Sequence, residues 1–201
     1  IDPIRERLVM SLYMRLGQLR NFLHEKASHC KQIHIDQPIL SKNEFEIIEQ
    51  IDHKDFSTET IDAAYNLPYQ KGELKQALHQ LCIRAEKAIE NGANILILSN
   101  EFSEKDRMPI PSLLALSTVH HHLLRKEKRG KAALVVKAGD AWETHHFATL
   151  IGFGASAIYP YLADQSILNL LHKRKVSTAE SHEKLKTYRT AVNKGLFKIL
   201  S

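Results

Sequence analysis

Apolar residues recur along this chain in two periods, and an element begins or ends where the period changes. Ile4, Leu8, Leu12 and Leu16 fall at every fourth position, the spacing of one helix face, which predicts a helix over 4–16. Residues 17–38 lose that period and read as an excursion with one short strand at Gln32–Ile35. Ser41 followed by Glu44 is the pair that makes a capping box, so a short helix is expected from there to Gln50. Residues 56–64 set Ile61 among alternating polar positions and predict a strand. Leu74, Leu78, Leu81, Ala85, Ala88 and Ile89 stripe one face of a longer helix that Gly92 stops.

From Asn94 the pattern alternates. It predicts strand Ile95–Leu98, helix Pro111–Lys126, strand Ala133–Lys137, helix Ala141–Phe153, strand Ala157–Tyr159 and helix Asp164–His172. Pro111 suits a first helical position, where its missing N–H costs nothing, and Asp164 suits an N-cap. A last helix follows a second box, Ser177 with Glu180, and lines Leu185, Tyr188, Val192, Leu196 and Ile199 along one side, with Gly195 as a place to end or bend. The segments Asn91-Gly92-Ala93-Asn94-Ile95 and Phe153-Gly154-Ala155-Ser156-Ala157 echo each other, each passing from a helix end through Gly-Ala into a strand. Parallel neighbours need a crossover, normally a helix. The expected class is therefore α/β, with parallel (β/α) units forming a partial, barrel-like sheet flanked by helices. Three strands, or five at most, fall short of a complete eight-stranded barrel.

Composition narrows the functions. The 201 residues suffice for one domain with a real core, and 43% hydrophobic with 25% charged residues is ordinary for a globular chain. No apolar run approaches the roughly 18 residues of a membrane span, and the opening IDPIRERLVM has no signal-peptide pattern, so a cytoplasmic setting is expected. The chain opens on Ile1 and reads as a piece of something longer. A net charge of +5 invites a nucleic-acid reading. However, the basic run Arg125–Lys131 sits where a helix ends, with no interleaved aromatics, and neither nucleic acid nor membrane is expected as a partner. Cys30 and Cys82 are the two cysteines; they are too distant in sequence for a C-x-x-C pair and too few for an iron–sulfur cluster. Cys82, between Leu81 and Ala85, reads as a small buried hydrophobe.

Candidate chemistry lies at the strand ends, where α/β folds collect it. Ser99, Asn100 and Glu101 follow the first strand of the alternating run, Lys137, Gly139 and Asp140 the second, and Pro160 and Tyr161 the third. Lys137 is the strongest single candidate, as a Schiff-base amine or an anion ligand. The triplet His120-His121-His122 diverges around its helix, since successive residues point about 100° apart. His120 is expected on the apolar stripe of Leu113, Leu116, Leu123 and Leu124, hydrogen-bonded, and His122 in solvent. His145 and His146 cannot share a metal either, and His146 flanks Trp142 and Leu150, so packing or interdomain hydrogen bonding is expected of it. There is no G-x-G-x-x-G, P-loop or G-x-S-x-G.

At these same residues the chain resembles a known family. The runs ILILSN, PIPSLLALSTVHHHL and VVKAGDAWETHHFATLIGFGASAIYPYLA, together with DPIRERLVMSL, PILSKNEFE and YRTAVNKGLFKILS, are similar to the central domain of the large (α) subunit of glutamate synthase. The resemblance covers nearly the whole chain. It implies a parent enzyme that makes two glutamates from glutamine and 2-oxoglutarate with reducing equivalents from NADPH, NADH or ferredoxin. An amidotransferase domain with a terminal Cys would release ammonia, and a flavin domain with FMN and a three-iron cluster would reduce 2-iminoglutarate. The central domain joins the two, with an α/β topology and no known cofactor. On this resemblance, residues 1–201 are most of that domain and residues 178–201 are the helix leading towards the flavin domain. Its partners are the neighbouring domains and, through the parent, ferredoxin or a small electron-donating subunit. No catalytic, cofactor or metal residue of the family maps onto this sequence, which leaves Asn100, Glu101, Lys137, Asp140, His146 and Tyr161 as strand-end or interdomain candidates. The rival reading is a self-contained (β/α) enzyme or phosphate-ligand binder using Lys137, Asn100 and Tyr161, and a third is a metal sensor built on the histidines.

Overall fold

The computed structural model describes residues 10–21, 23–24, 26–68, 70–101 and 106–201. Its strands are β1 (Met14–Leu16), β2 (Ile33–Ile35), β3 (Thr58–Asp62), β4 (Ala64–Asn66), β5 (Ile95–Ser99), β6 (Arg107–Pro109), β7 (Ala133–Lys137) and β8 (Ala157–Tyr159). Its α-helices are α1 (Lys42–Glu49), α2 (Glu73–Glu90), α3 (Ser112–Arg125), α4 (Thr144–Gly152), α5 (Tyr161–Lys173) and α6 (Thr178–Leu200).

Strands β3, β5, β7 and β8 make one parallel sheet in that order. Helices α2, α3 and α4 supply the successive crossovers that parallel pairing demands. Past β8 the sheet continues through a parallel bridge between Ile39 and Ile158. There Leu40 N donates to Ile158 O and Ile158 N donates to Pro38 O, each at 2.8 Å. Two antiparallel ladders, β1–β2 and β4–β6, stand beside this sheet. The arrangement is the expected partial, barrel-like α/β sheet.

Every residue of β5 is buried, because the sheet is covered on both faces and its strands must be apolar throughout. On one face Leu96, Leu98, Leu134, Val136 and Ile158 meet Leu81 of α2, Leu116 of α3, Phe147 of α4 and Val192 of α6. On the other, Ile95, Ile97, Val135 and Tyr159 meet Leu16 of β1 with Phe45 and Ile48 of α1. The Phe45 and Tyr159 rings stack at 4.8 Å. Each such large apolar side chain contributes about 1.5–3 kcal/mol when fully buried, so the two layers hold the strand ends in place.

Several expectations are corrected. The helix predicted over 4–16 fails where it is described: residues 4–9 lie outside the described residues, and Met14–Leu16 is a strand paired with Ile33–Ile35. Leu12 and Leu16 are buried while Tyr13 and Arg15 are exposed. A four-residue spacing fits a strand of period two as well as a helix, and the available partner decided between them. Pro111 is the N-cap of α3 rather than its first residue, with ψ 132°. Asp164 lies inside α5, which starts at Tyr161. Gly195 does not end α6, which runs on to Leu200. A Cβ at Gly195 would stand 2.5 Å from Thr144 of α4, so this glycine permits a close helix–helix approach. Of the two predicted capping boxes, Ser41–Glu44 is complete, whereas at Ser177 only the half in which its side chain accepts from Glu180 N is formed. Strands β4 and β6, with their polar and exposed residues, carry no period that predicts them.

Candidate functional site

The carboxyl ends of β5 and β7 converge on Asn100, which is buried. Its Oδ1 accepts from Gly139 N at 2.8 Å. Its Nδ2 donates to Ser112 Oγ at 3.1 Å and to Asp140 Oδ1 at 3.4 Å. Asp140 Oδ2 in turn accepts from Ser112 N at 2.9 Å, a carboxylate on the open N-terminus of α3, where charge and dipole agree. One carboxamide therefore ties together the end of β5, the turn after β7 and the start of α3.

Tyr161 and Lys137 complete the cluster. The Tyr161 hydroxyl donates to Asn100 O at 3.5 Å, and burial, with Glu101 and Asp140 nearby, pushes its phenol pKa up, keeping it protonated. A Cβ at Gly139 would stand 2.7 Å from that hydroxyl, so only glycine lets the ring lie there. Lys137 Nζ is paired with Glu101 Oε2 and lies 5.1 Å from the centre of the Phe45 ring. Asn100, Glu101, Lys137, Asp140 and Tyr161 are thus brought into one neighbourhood.

His146 stands apart in role. Its Nδ1 accepts from Trp142 N at 3.1 Å and Glu143 N at 3.3 Å, the reach-back half of an N-terminal cap for α4. It shares a small pocket of about 150 Å³ with Ser112 and Asp140. Those three residue types suggest a hydrolytic triad, but the bonds do not run Ser to His to Asp. Ser112 Oγ is held by Asn100, and His146 Nδ1 is occupied by backbone.

In the His120 triplet the first histidine is hydrogen-bonded as expected, and His122 departs from expectation. His120 is half-buried and accepts from Arg129 Nε at 3.0 Å, while Arg129 also donates to Ala132 O and Gly154 O. His122 is not solvated; its Nε2 lies 3.0 Å from Glu86 Oε2. Leu113 and Leu124 of the predicted stripe are exposed, and the buried face is Ala115, Leu116, Val119 and Leu123. Cys82 is buried with its Sγ 3.7 Å from Thr118 O, and burial pushes its thiol pKa up, away from reactivity. Among the described residues no three His, Cys, Asp or Glu side chains form a metal-holding group.

A further strand-end cavity, of about 560 Å³, lies elsewhere. It sits past β8 and Leu40 and is lined by Ser41, Lys42, Tyr159, Asp164, Lys186 and Arg189 among others. At its base the buried pair Asp164–Arg189 joins α5 to α6, and Arg189 Nε donates to Leu40 O at 3.4 Å. Burial raises the Asp164 pKa while Arg189 opposes the shift. Nothing in the sequence marks this pair: its members are 25 residues apart and Asp164 reads as a cap.

The family model described as "Glutamate synthase central domain" matches residues 1–201. A ferredoxin-dependent glutamate synthase of Pyropia yezoensis is 38% identical over 212 aligned residues, covering all of this chain and 14% of that protein. The glutamate synthase [NADPH] large chain of Bacillus subtilis (strain 168) is 36% identical, with 13% of its length covered, and a glutamate synthase [NADH] of Schizosaccharomyces pombe is 33% identical, with 10% covered. The chain thus spans 10–14% of the length of these relatives. Among the described residues no helix is long and apolar enough to cross a membrane.

Proposed function

We propose, on the premise that this chain belongs to the glutamate synthase central domain family, that it serves as the connecting body between two catalytic domains of a larger cytoplasmic enzyme. In this reading the parent makes two glutamates from glutamine and 2-oxoglutarate. An amidotransferase domain and a flavin domain flank the chain, ferredoxin or a small electron-donating subunit supplies electrons, and residues 178–201 lead towards the flavin domain. The observation that carries the reading is the closure of the strand-end cluster. Asn100 spends its side-chain hydrogen bonds on Gly139, Ser112 and Asp140, and Lys137 is paired with Glu101. These are bonds that fix a scaffold, and they occupy the described side chains that would otherwise serve as base or nucleophile.

The parent's FMN and iron–sulfur cluster are assigned to its other domains. A three-iron cluster takes three thiolates, whereas this chain has two cysteines, one exposed and one buried. The two therefore do not fit the cluster.

The test uses the full-length parent. Lys137→Ala and Tyr161→Phe are introduced, then glutamine hydrolysis and ammonia-dependent reductive synthesis are measured separately and together. A connecting role predicts that both half-reactions persist, with any loss confined to their coupling. Abolition of one half-reaction by Lys137→Ala, in a protein of unchanged unfolding midpoint, favours the self-contained strand-end enzyme instead.

A further inference from the structure

A second kind of surface lies on the opposite side of the sheet from α3 and α4. Arg15 of β1 and His34 of β2 are direct cross-strand partners, so the antiparallel register sets them side by side on one face. The Tyr13 ring packs on His34 at 4.8 Å. The chain leaving β1 is anchored by Leu19 N donating to Gly130 O at 2.7 Å. A 3-10 turn at Ala27–Cys30 then brings His29 and Cys30 to the same place. These elements enclose a cavity of about 650 Å³ lined by Arg15, Leu19, Arg20, His29, Cys30 and His34 among others.

All the ionisable nitrogens in this cavity are basic. Adjacent Lys31 has its acid, Asp55 Oδ1 at 2.7 Å, whereas Arg15, Arg20, His29 and His34 have no acidic partner among the described residues. Arg15 and Arg20 place two guanidinium cations in the cavity lining, and a bound polyanion offsets their charge. Guanidinium forks match phosphate oxygens bidentately, and imidazoles donate N–H to an oxyanion in either protonation state. The cavity is concave, within the few-hundred to about 1,000 Å³ range of small-molecule sites, and Leu19 gives it an apolar wall.

We infer that this cavity is a binding site for a small organic phosphate, held by Arg15, Arg20, His29 and His34. It is independent of the strand-end cluster and of the connecting role. Concavity selects a small ligand over an acidic protein segment, which needs a broader surface.

Cys30 is exposed and reports on the site in the full chain that carries this domain. Its labelling, followed on its own peptide by mass spectrometry, is compared between the anionic reagent 5,5′-dithiobis(2-nitrobenzoate) and neutral 4,4′-dithiodipyridine, with and without inorganic pyrophosphate. A phosphate site predicts that the anionic reagent is favoured and that pyrophosphate slows it by about tenfold at low salt. Arg15→Gln with Arg20→Gln removes both the preference and the protection. Unchanged Cys30 labelling across a full pyrophosphate titration overturns the site, and because this arm uses the unsubstituted protein it does not depend on the variant folding. Stronger protection by hexaglutamate than by pyrophosphate also overturns it, in favour of an acidic protein segment.

Discussion

Arg129 Nε donates to His120 Nδ1 at 3.0 Å, so the imidazole of the first histidine in the triplet works as an acceptor and must be neutral on that nitrogen. The same guanidinium binds Ala132 O at 2.8 Å and Gly154 O at 2.7 Å. It thereby ties the end of α3 to the starts of β7 and β8.

Burial, then the charge of Arg129, hold the His120 pKa below its ordinary 6.5. The unfolded chain therefore takes up this proton first as pH falls. Stability from this group is full above pH 6.5 and declines as pH drops from there towards the depressed folded pKa. Urea unfolding between pH 8 and 5 is expected to show that decline, and His120→Asn to flatten it. A histidine resonance at position 120 titrating above 6.5 sinks the argument.

Gly154 has φ +102°, and a Cβ there would stand 2.2 Å from His120 Nδ1. Gly154→Ala should cost more than about 1 kcal/mol, because backbone and neighbour both resist it. Gly152, at the end of α4, has nothing within 4 Å of its notional Cβ. Gly152→Ala should stabilise by up to about 1 kcal/mol. Denaturant midpoints moving in opposite directions are the expected result.

Asn100→Ala leaves the Gly139 N–H without its acceptor in a buried place and should cost about 1–3 kcal/mol. Asn100→Asp keeps that acceptor but sets a second carboxylate beside Asp140, replacing a donor contact with repulsion. Its loss should shrink as pH falls and the introduced carboxyl takes up a proton. Comparison of the two variants at pH 7 and pH 4.5 checks this.

Breaking the buried Asp164–Arg189 pair from one side, with Arg189→Met, should cost about 3–5 kcal/mol, since a carboxylate is left without its cation. Replacing both, with Asp164→Leu added, should recover much of that loss. Failure of the second substitution to recover any stability by equilibrium unfolding contradicts the account.

Lys128 and His122 hydrogen bonds hold the Glu86 pKa down, from 4.5 to about 2. A depressed carboxyl contributes stability above its unfolded pKa and loses it as pH falls, here across about 4.5 to 2. Glu86→Gln should flatten the acid limb of unfolding in that window, and added salt should weaken the effect.

Much of the fold was legible in the chain. The helix of Leu74 to Ile89, the strands Ala133–Lys137 and Ala157–Tyr159, and the box Ser41–Glu44 all depend on contacts within a few residues, and a local period records them. The candidate site was legible as an address, since Asn100, Lys137, Asp140 and Tyr161 stand at strand ends. The roles of His122 and His146 were not: the acid of one is 36 residues away, and the bonds of the other run to local backbone that only a formed helix start exposes.

The sequence by itself determined the alternation of strand and helix, the parallel class and the family, because periodicity and motif order are properties of the chain. Only the tertiary structure decided that Met14–Leu16 is a strand, that Asp164 pairs with Arg189 instead of capping a helix, and that Asn100 closes its own site. The physical reason is the same each time. A buried polar group or an unpaired strand must find partners, and sheet order, which no local pattern states, determines which partners are within reach.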